Sequence, residues 1–148
     1  MIRRVCLLAM LLAPVPAIAQ TDDRAAVRQA ALDYVTAVYE SKPELIERSV
    51  STELTKHGFM AQKDGSYRRA PMTYQELLKV AREWNADRKR DVSINEVTVG
   101  EVFDQTATAM VRANWGIDFM QLAKIDGRWK ILNIVWQSHP PARTTRQQ

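Results

Sequence analysis

The chain is predicted to be α+β, with three helices that come first and then cover one side of an antiparallel sheet. Three observations carry this reading. Residues 22–40 hold an apolar stripe of helical period. Ser41 and Thr73 each open a capping-box pattern ahead of a further apolar stripe. Residues 92–137 fall into four runs rich in β-branched and aromatic side chains, parted by turn residues.

Residues 1–19 are expected to be an export leader rather than part of the fold. Arg3 and Arg4 form a positive start, the apolar run over residues 5–13 is too short to span a bilayer, and Ala17-Ile18-Ala19 has the small-x-small pattern of a cleavage site. The mature protein would begin at Gln20 and be periplasmic or secreted. Cys6 lies in the leader, so the mature chain would have no disulfide, no thiol nucleophile and no thiolate metal site. Of the 148 residues, 129 remain, which suits one domain with a core of its own. Without Arg3 and Arg4, 19 basic side chains face 17 acidic ones and the net charge falls from +4 to +2. That balance favours neither nucleic acid nor an anionic membrane. The one basic run, Arg88-Lys89-Arg90, is bracketed by Asp87 and Asp91.

In the first helix, Val27, Ala30, Ala31, Tyr34, Val35 and Val38 recur on one face, with Thr21, Asp22 and Asp23 as N-cap oxygens and first-turn charge. Alanines on that face allow close approach to the sheet, and the Tyr34 hydroxyl must find a partner or a cavity. A second helix follows at Pro43, with Ser41 as its cap and Leu45, Ile46 and Val50 as its apolar side, ending near Ser51. Asp64-Gly65 marks a small hairpin whose arms Gly58 and Pro71 should keep short. From Thr73 the third helix carries Tyr74, Leu77, Leu78, Ala81 and Trp84 on one stripe.

The four β-rich runs are bounded by Gly100 with Asp104, by residues 116–118 and by Asp126-Gly127. The last is the firmest turn, because a tight hairpin needs residues that tolerate positive φ. In the second run Ala107, Ala109, Val111, Ala113 and Trp115 share one side, against Thr106, Thr108, Arg112 and Asn114 on the other. In the last run, strict alternation groups Trp129, Ile131, Asn133 and Val135 against Lys130, Leu132, Ile134 and Trp136. Residues 139–148 have nothing to bury and are expected to fray, which leaves residues 20–138 as the folded domain.

This order of elements joins Tyr34 in the first helix, residues 54–59 followed by Lys63-Asp64-Gly65, Leu77-Leu78 and, above all, the last hairpin, LAKIDGRWKILNIVW at residues 122–136. Together they resemble the nuclear transport factor 2-like superfamily and, within it, the lumazine-binding subfamily of small secreted bacterial proteins. The likeness covers nearly the whole mature chain. It implies a cone-shaped, cystatin-like domain with a pocket between a curved sheet and the helices, often a homodimer through the outer sheet face. It implies no reaction, since the superfamily includes isomerases, dehydratases and cyclases beside proteins without known chemistry.

His57, the one histidine expected in the folded part, is a candidate base near the pocket mouth, although a lone histidine is more often structural or exposed. Asp118 is the other candidate base, because related enzymes place a carboxylate on the sheet, where an apolar pocket raises its proton affinity. The plain alternative is a turn residue after Gly116. Tyr34, Phe59, Trp84 and Trp115, with Tyr74, Trp129 and Trp136, are candidate walls for a flat ligand, and Asn133 a candidate hydrogen-bond donor to it. The alternative is that all of them simply fill the core. With no second histidine and no cysteine pair, no metal is expected, and no cofactor. Phosphate loops and nucleophile elbows are absent. The residues point first to a protein that binds a small, partly apolar or aromatic molecule without catalysis. Second comes a dehydratase- or isomerase-like enzyme using Asp118 or His57 as general base, and third a dimeric interaction module.

Overall fold

A computed structural model of the chain describes residues 17–93 and 95–140. Its elements are α1 (Ala17–Glu40), α2 (Pro43–Ser49), β1 (Val50–Ala61), β2 (Tyr67–Arg69), α3 (Tyr74–Glu83), β3 (Asn95–Val102), β4 (Thr106–Ala113), β5 (Gly116–Ile125) and β6 (Arg128–Ser138). The strands form one sheet in the order β2-β1-β6-β5-β4-β3. The meander of β3 to β6 is antiparallel throughout, as is the β1–β2 pair, but β1 runs parallel to β6. The small hairpin is therefore an extension of the main sheet, and the sheet is mixed. α1 lies across it, touching β3, β4 and β6, while α2 and α3 pack beside α1 and against β1.

The apolar stripe read in the first helix is buried in full, and Ala37 and Tyr39 join it, because α2 and α3 cover a second flank of the same rod. α1 begins at Ala17 rather than Asp22, and residues 1–16 of the expected leader lie outside the described residues. Asp23 is not a cap. Its carboxylate reaches across to the sheet, accepting from Lys124 Nζ at 2.7 Å and from Trp129 Nε1 at 2.9 Å. Arg24 next to it donates to the carbonyls of Val99 and Gly100 at 2.8 and 2.9 Å, so the start of α1 is tied to both edges of the meander.

The capping box expected at Ser41 does not form. Ser41 has φ of 52°, and the Lys42 N–H returns to the Ala37 carbonyl at 2.9 Å, which closes the C-terminus of α1. Only two residues separate the helices, so Ser41 ends the first and cannot also cap the second, whose N-cap, Lys42, makes no side-chain cap bond. α2 stops at Ser49 because Val50 already belongs to β1. At Thr73 the capping box is complete in both directions.

Gly58 does not shorten the first arm of the hairpin, since β1 runs for 12 residues. A Cβ at that position would lie 2.3 Å from the Trp136 Nε1 and 2.6 Å from the Ala70 carbonyl oxygen, so the missing side chain gives an indole room to lie against the strand. Gly100 likewise stays inside β3, and the turn falls on residues 103–105. Asp126 and Gly127, with φ of 49° and 73°, make the expected two-residue turn between β5 and β6.

The strict alternation read in the last strand fails at its middle. Gln121 pairs with Asn133 but Leu122 pairs with Ile131, which leaves Leu132 as a bulge. Past it the faces exchange: Trp129 and Ile131 are buried, and so are Ile134 and Trp136, while Asn133 and Val135 turn outward. Further register shifts in β1 and β3 help curve the sheet toward the helices. At the chain end, a His139 ring nitrogen lies 2.7 Å from the Ala113 carbonyl, so His57 is not the only histidine held by the fold. The tail expected to fray lies, from residue 141, outside the described residues.

Candidate functional site

Sheet and helices do not meet everywhere; between them lies a cavity of about 470 Å³. α1 supplies Tyr34 and Val38, β1 Lys56 and Met60, and β6 Trp136 and Ser138. α3 with its C-cap adds Leu77, Val80 and Trp84, while Trp115 comes from the β4–β5 turn and Met72 from the stretch before α3. The size falls within the range of small-molecule sites. One wall is an aromatic cluster. Tyr39 stacks on Trp84 at 5.7 Å, and Trp115 meets Tyr34, Tyr39 and Trp84 edge-on at 6.2, 5.2 and 5.5 Å.

The polar end of the cavity is an ion pair. Lys56 Nζ lies 3.2 Å from Asp118 Oδ1, and the two side chains are 5% and 0% exposed. Strand alternation brings both inside: Lys56 is in phase with Leu54 and Gly58, and Asp118 with Met120 and Leu122. The Tyr34 hydroxyl donates to Asp118 Oδ1 at 3.1 Å and accepts from Lys56 Nζ, and Trp115 Nε1 donates to Asp118 Oδ2 at 2.6 Å. Each buried charge costs several kcal/mol of lost hydration, which only close pairing and a full set of hydrogen bonds offset. Here the carboxylate accepts from three donors, and Lys56 Nζ also sits 5.0 and 5.4 Å from the Tyr34 and Trp136 ring centroids. Burial pushes the Tyr34 hydroxyl well above the usual tyrosine value, and the Asp118 charge beside it pushes the same way, so Tyr34 is neutral at ordinary pH.

Of the residues singled out from the sequence, Tyr34, Trp84 and Trp115 are brought together on the cavity wall, and Trp136 joins them. Asp118 is not a turn residue. It sits behind Lys56, Tyr34 and Trp115 rather than on the wall. His57, Phe59 and Asn133 are not in the site. His57 and Phe59 alternate with Lys56 and Gly58 and therefore face outward, both exposed. Asn133 is turned out by the β6 bulge, where its amide accepts from Thr55 at 2.8 Å and donates to Gln121 at 3.1 Å. Tyr74 and Trp129 are core. Lys56, missed in the sequence, had one signal: it shares its strand face with Leu54. Among the described residues no group of three His, Cys, Asp or Glu could hold a metal ion.

Two measurements test this polar core. Lys56→Met should cost about 3–5 kcal/mol in urea unfolding, because it strands the Asp118 charge, and adding Asp118→Asn, which removes that charge but keeps an acceptor for Tyr34 or Trp115, should recover part of the loss. Equal losses in both variants would mean that a stranded Asp118 charge is not what destabilises Lys56→Met. The second test is alkaline titration. A tyrosine whose folded pKa is raised keeps its proton longer in the native state, so its stabilisation is intact below the usual value of 10 and drains away as pH rises above it. Burial raises Tyr39 and Tyr74 in the same direction. Unfolding free energy should therefore fall above pH 10, and Tyr34→Phe should make that fall shallower; an unchanged slope would count against a buried, neutral Tyr34.

The comparisons with known proteins agree on family and fold. The profile of the family described as "Putative lumazine-binding" matches residues 22–137. No curated protein sequence matches. Among solved structures, a nuclear transport factor 2-like protein of unknown function from Silicibacter pomeroyi superposes with a TM-score of 0.62 at 14% identity, covering 81% of this chain and 98% of its own. A second such protein, from Shewanella baltica, gives 0.61 at 15% identity, with 86% and 100% covered. A protein from Novosphingobium aromaticivorans described as a putative scytalone dehydratase gives 0.58 at 17% identity, with 84% and 89% covered. Identities this low speak to fold alone. The curved mixed sheet under three helices is the fold of these nuclear transport factor 2-like structures, and the family match over most of the chain leads to one conclusion: the chain belongs to the family described as "Putative lumazine-binding".

Proposed function

We propose that this chain is an exported single-domain protein that holds a small, partly apolar or aromatic molecule in the cavity, without catalysis. The cavity itself carries this reading: about 470 Å³, walled by Trp84, Trp115 and Trp136 with aliphatic side chains, and polar chiefly at Lys56 and Tyr34. The family description names lumazine, a flat fused heterocycle, which supports ligands of that shape. Tyr34, Trp84 and Trp115 would touch the ligand, together with Lys56 and Trp136, and Asp118 would act through Lys56 and Tyr34. A dehydratase- or isomerase-like reaction would need a free base in contact with the ligand. Asp118 has both oxygens engaged by three donors, and His57 stands on the opposite sheet face, so the binding reading is preferred.

Export rests on the leader pattern of residues 1–19. A homodimer through the outer sheet face is proposed from the exposure there of Phe59, Phe119 and Val135, an apolar group that a second copy would cover.

The binding reading is tested by a thermal-shift screen of lumazine-like, flavin-like, steroid-like and polyketide-like compounds. A ligand held only by the native state stabilises by about 2.7 kcal/mol at a hundredfold excess over its Kd. Met72→Trp, which fills the cavity, should abolish the shift; a shift that survives it would locate binding elsewhere. For the other two points, the exported protein should begin at Gln20 by mass spectrometry, and Phe119→Glu should lower the sedimenting mass to that of one chain. A chain that stays inside the cell with residues 1–19 intact, or a wild type that sediments as a monomer, would reject them.

A further inference from the structure

The side chains that line the cavity are unequal in hydrogen bonding. Not one of them is a carboxylate, a side-chain amide or an imidazole. Lys56 has three ammonium protons. Two go to the Tyr34 hydroxyl and to Asp118 Oδ1, and the third has no acceptor among the described residues. Ser138, the other polar aliphatic group on the wall, accepts from the Ala61 N–H at 2.8 Å, which leaves its own proton to give. The Tyr34 hydroxyl and the Trp115 indole N–H already donate to Asp118. The side chains of the wall thus offer unused donors, the unpartnered Trp136 Nε1 among them, while the acceptors left to them are remaining hydroxyl lone pairs and the Met72 thioether, since the Met60 sulfur already accepts from Arg68 at 3.3 Å.

Charge narrows the choice further. Lys56 is the one charged side chain on the wall, and Asp118 directly behind it cancels its charge. A carboxylate brought to Lys56 would share a single cation with a buried anion, which like-charge repulsion disfavours. It would also lie among aromatic faces, whose quadrupoles present negative charge. A cation would meet the Lys56 ammonium. What remains is an uncharged molecule with an accepting edge.

Resting on the binding reading above, we infer that the ligand is a flat, uncharged molecule carrying a carbonyl, as a ketone, lactam or imide, and that this carbonyl accepts a hydrogen bond from Lys56. The rest of the ligand lies against Trp84, Trp115 and Trp136. Lys56 is then the residue that selects for the carbonyl, and Asp118 is a positioning residue that holds the ammonium and removes the advantage an anion would otherwise have.

The test compares three naphthalenes of nearly one shape by calorimetry on the purified protein: 2-acetylnaphthalene, 2-naphthoate and 2-ethylnaphthalene. The ketone should bind about tenfold or more tighter than the hydrocarbon, the gain expected of a hydrogen bond to a charged donor, and also tighter than the carboxylate. In Lys56→Met/Asp118→Asn, which removes both charges but keeps a side-chain oxygen to accept from Tyr34 or Trp115, the ketone's advantage over the hydrocarbon should be lost while the hydrocarbon still binds, which also reports that the variant is folded. Independently of any variant, the infrared carbonyl stretch of the bound ketone should shift to lower frequency than in an apolar solvent. Naphthoate binding as tightly as the ketone, a ketone no tighter than the hydrocarbon, or an unshifted stretch would overturn the carbonyl assignment and leave the binding reading standing, provided Met72→Trp blocks the hydrocarbon. If none of the three binds, the carbonyl assignment falls and the binding reading stands or falls with the thermal-shift screen; if Met72→Trp blocks none of them, both fall together.

Discussion

A lysine and an aspartate buried against each other are the constraint on which the rest of this domain depends. Lys56 arrives on β1, Asp118 on β5, Tyr34 on α1 and Trp115 on the turn between β4 and β5, so four separate stretches must be in place before either charge is satisfied. A half-built version of this cluster is worse than none, since each unpaired charge left in an apolar interior costs more than its pairing returns. The cluster therefore selects one arrangement of helix over sheet. It also explains why α1 carries a tyrosine among alanines and valines at the point where it crosses β5.

The hollow beside the cluster persists because its walls are held from outside. The Tyr39 hydroxyl donates to Asn114 Oδ1 at 2.9 Å and accepts from the Asn114 N–H at 2.8 Å, which ties the end of α1 to the turn that bears Trp115. Asn85 donates to the Tyr39 carbonyl at 2.8 Å, and the Arg90 guanidinium lies 4.8 Å from the Trp84 ring, so the end of α3 is fastened to the same place. Two tryptophans fixed by bonds that do not involve a ligand make a preformed wall, and a preformed wall lowers the ordering cost of binding. Beneath them, the glycine at 58 and the bulge at Leu132 let Trp136 lie flat on the sheet as its floor.

The same bulge divides the molecule's two surfaces. By turning Ile134 and Trp136 inward it sends Asn133 and Val135 to the outer face, beside Phe119 and His57. Polar residues that a plain reading of the strand would place in the pocket belong instead to the face away from it. Members of one fold family differ in what they hold by changes of this kind, in which the framework stays and the side chains facing the hollow change.

How far the chain could be read from its residues alone follows from the range of each signal. The α1 stripe, the Thr73 cap, the Asp126-Gly127 turn and the alternation of β4 are local, and each was legible because its cause lies within a few residues. Tyr34, Trp84 and Trp115 were legible as candidates, because large aromatics on apolar faces must pack against something. Lys56 was not, and Asp118 read more naturally as part of a turn, because each needs its partner from a distant strand to be tolerated inside. The parallel pairing of β1 with β6, the slip at Leu132 and the opposite fates of Lys56 and His57 are likewise set by register between stretches far apart in sequence. The residues by themselves determined the kinds of element, their order and their family. Only the tertiary structure decided which side chains meet, because a one-residue shift in pairing exchanges the two faces of a strand while leaving its composition untouched.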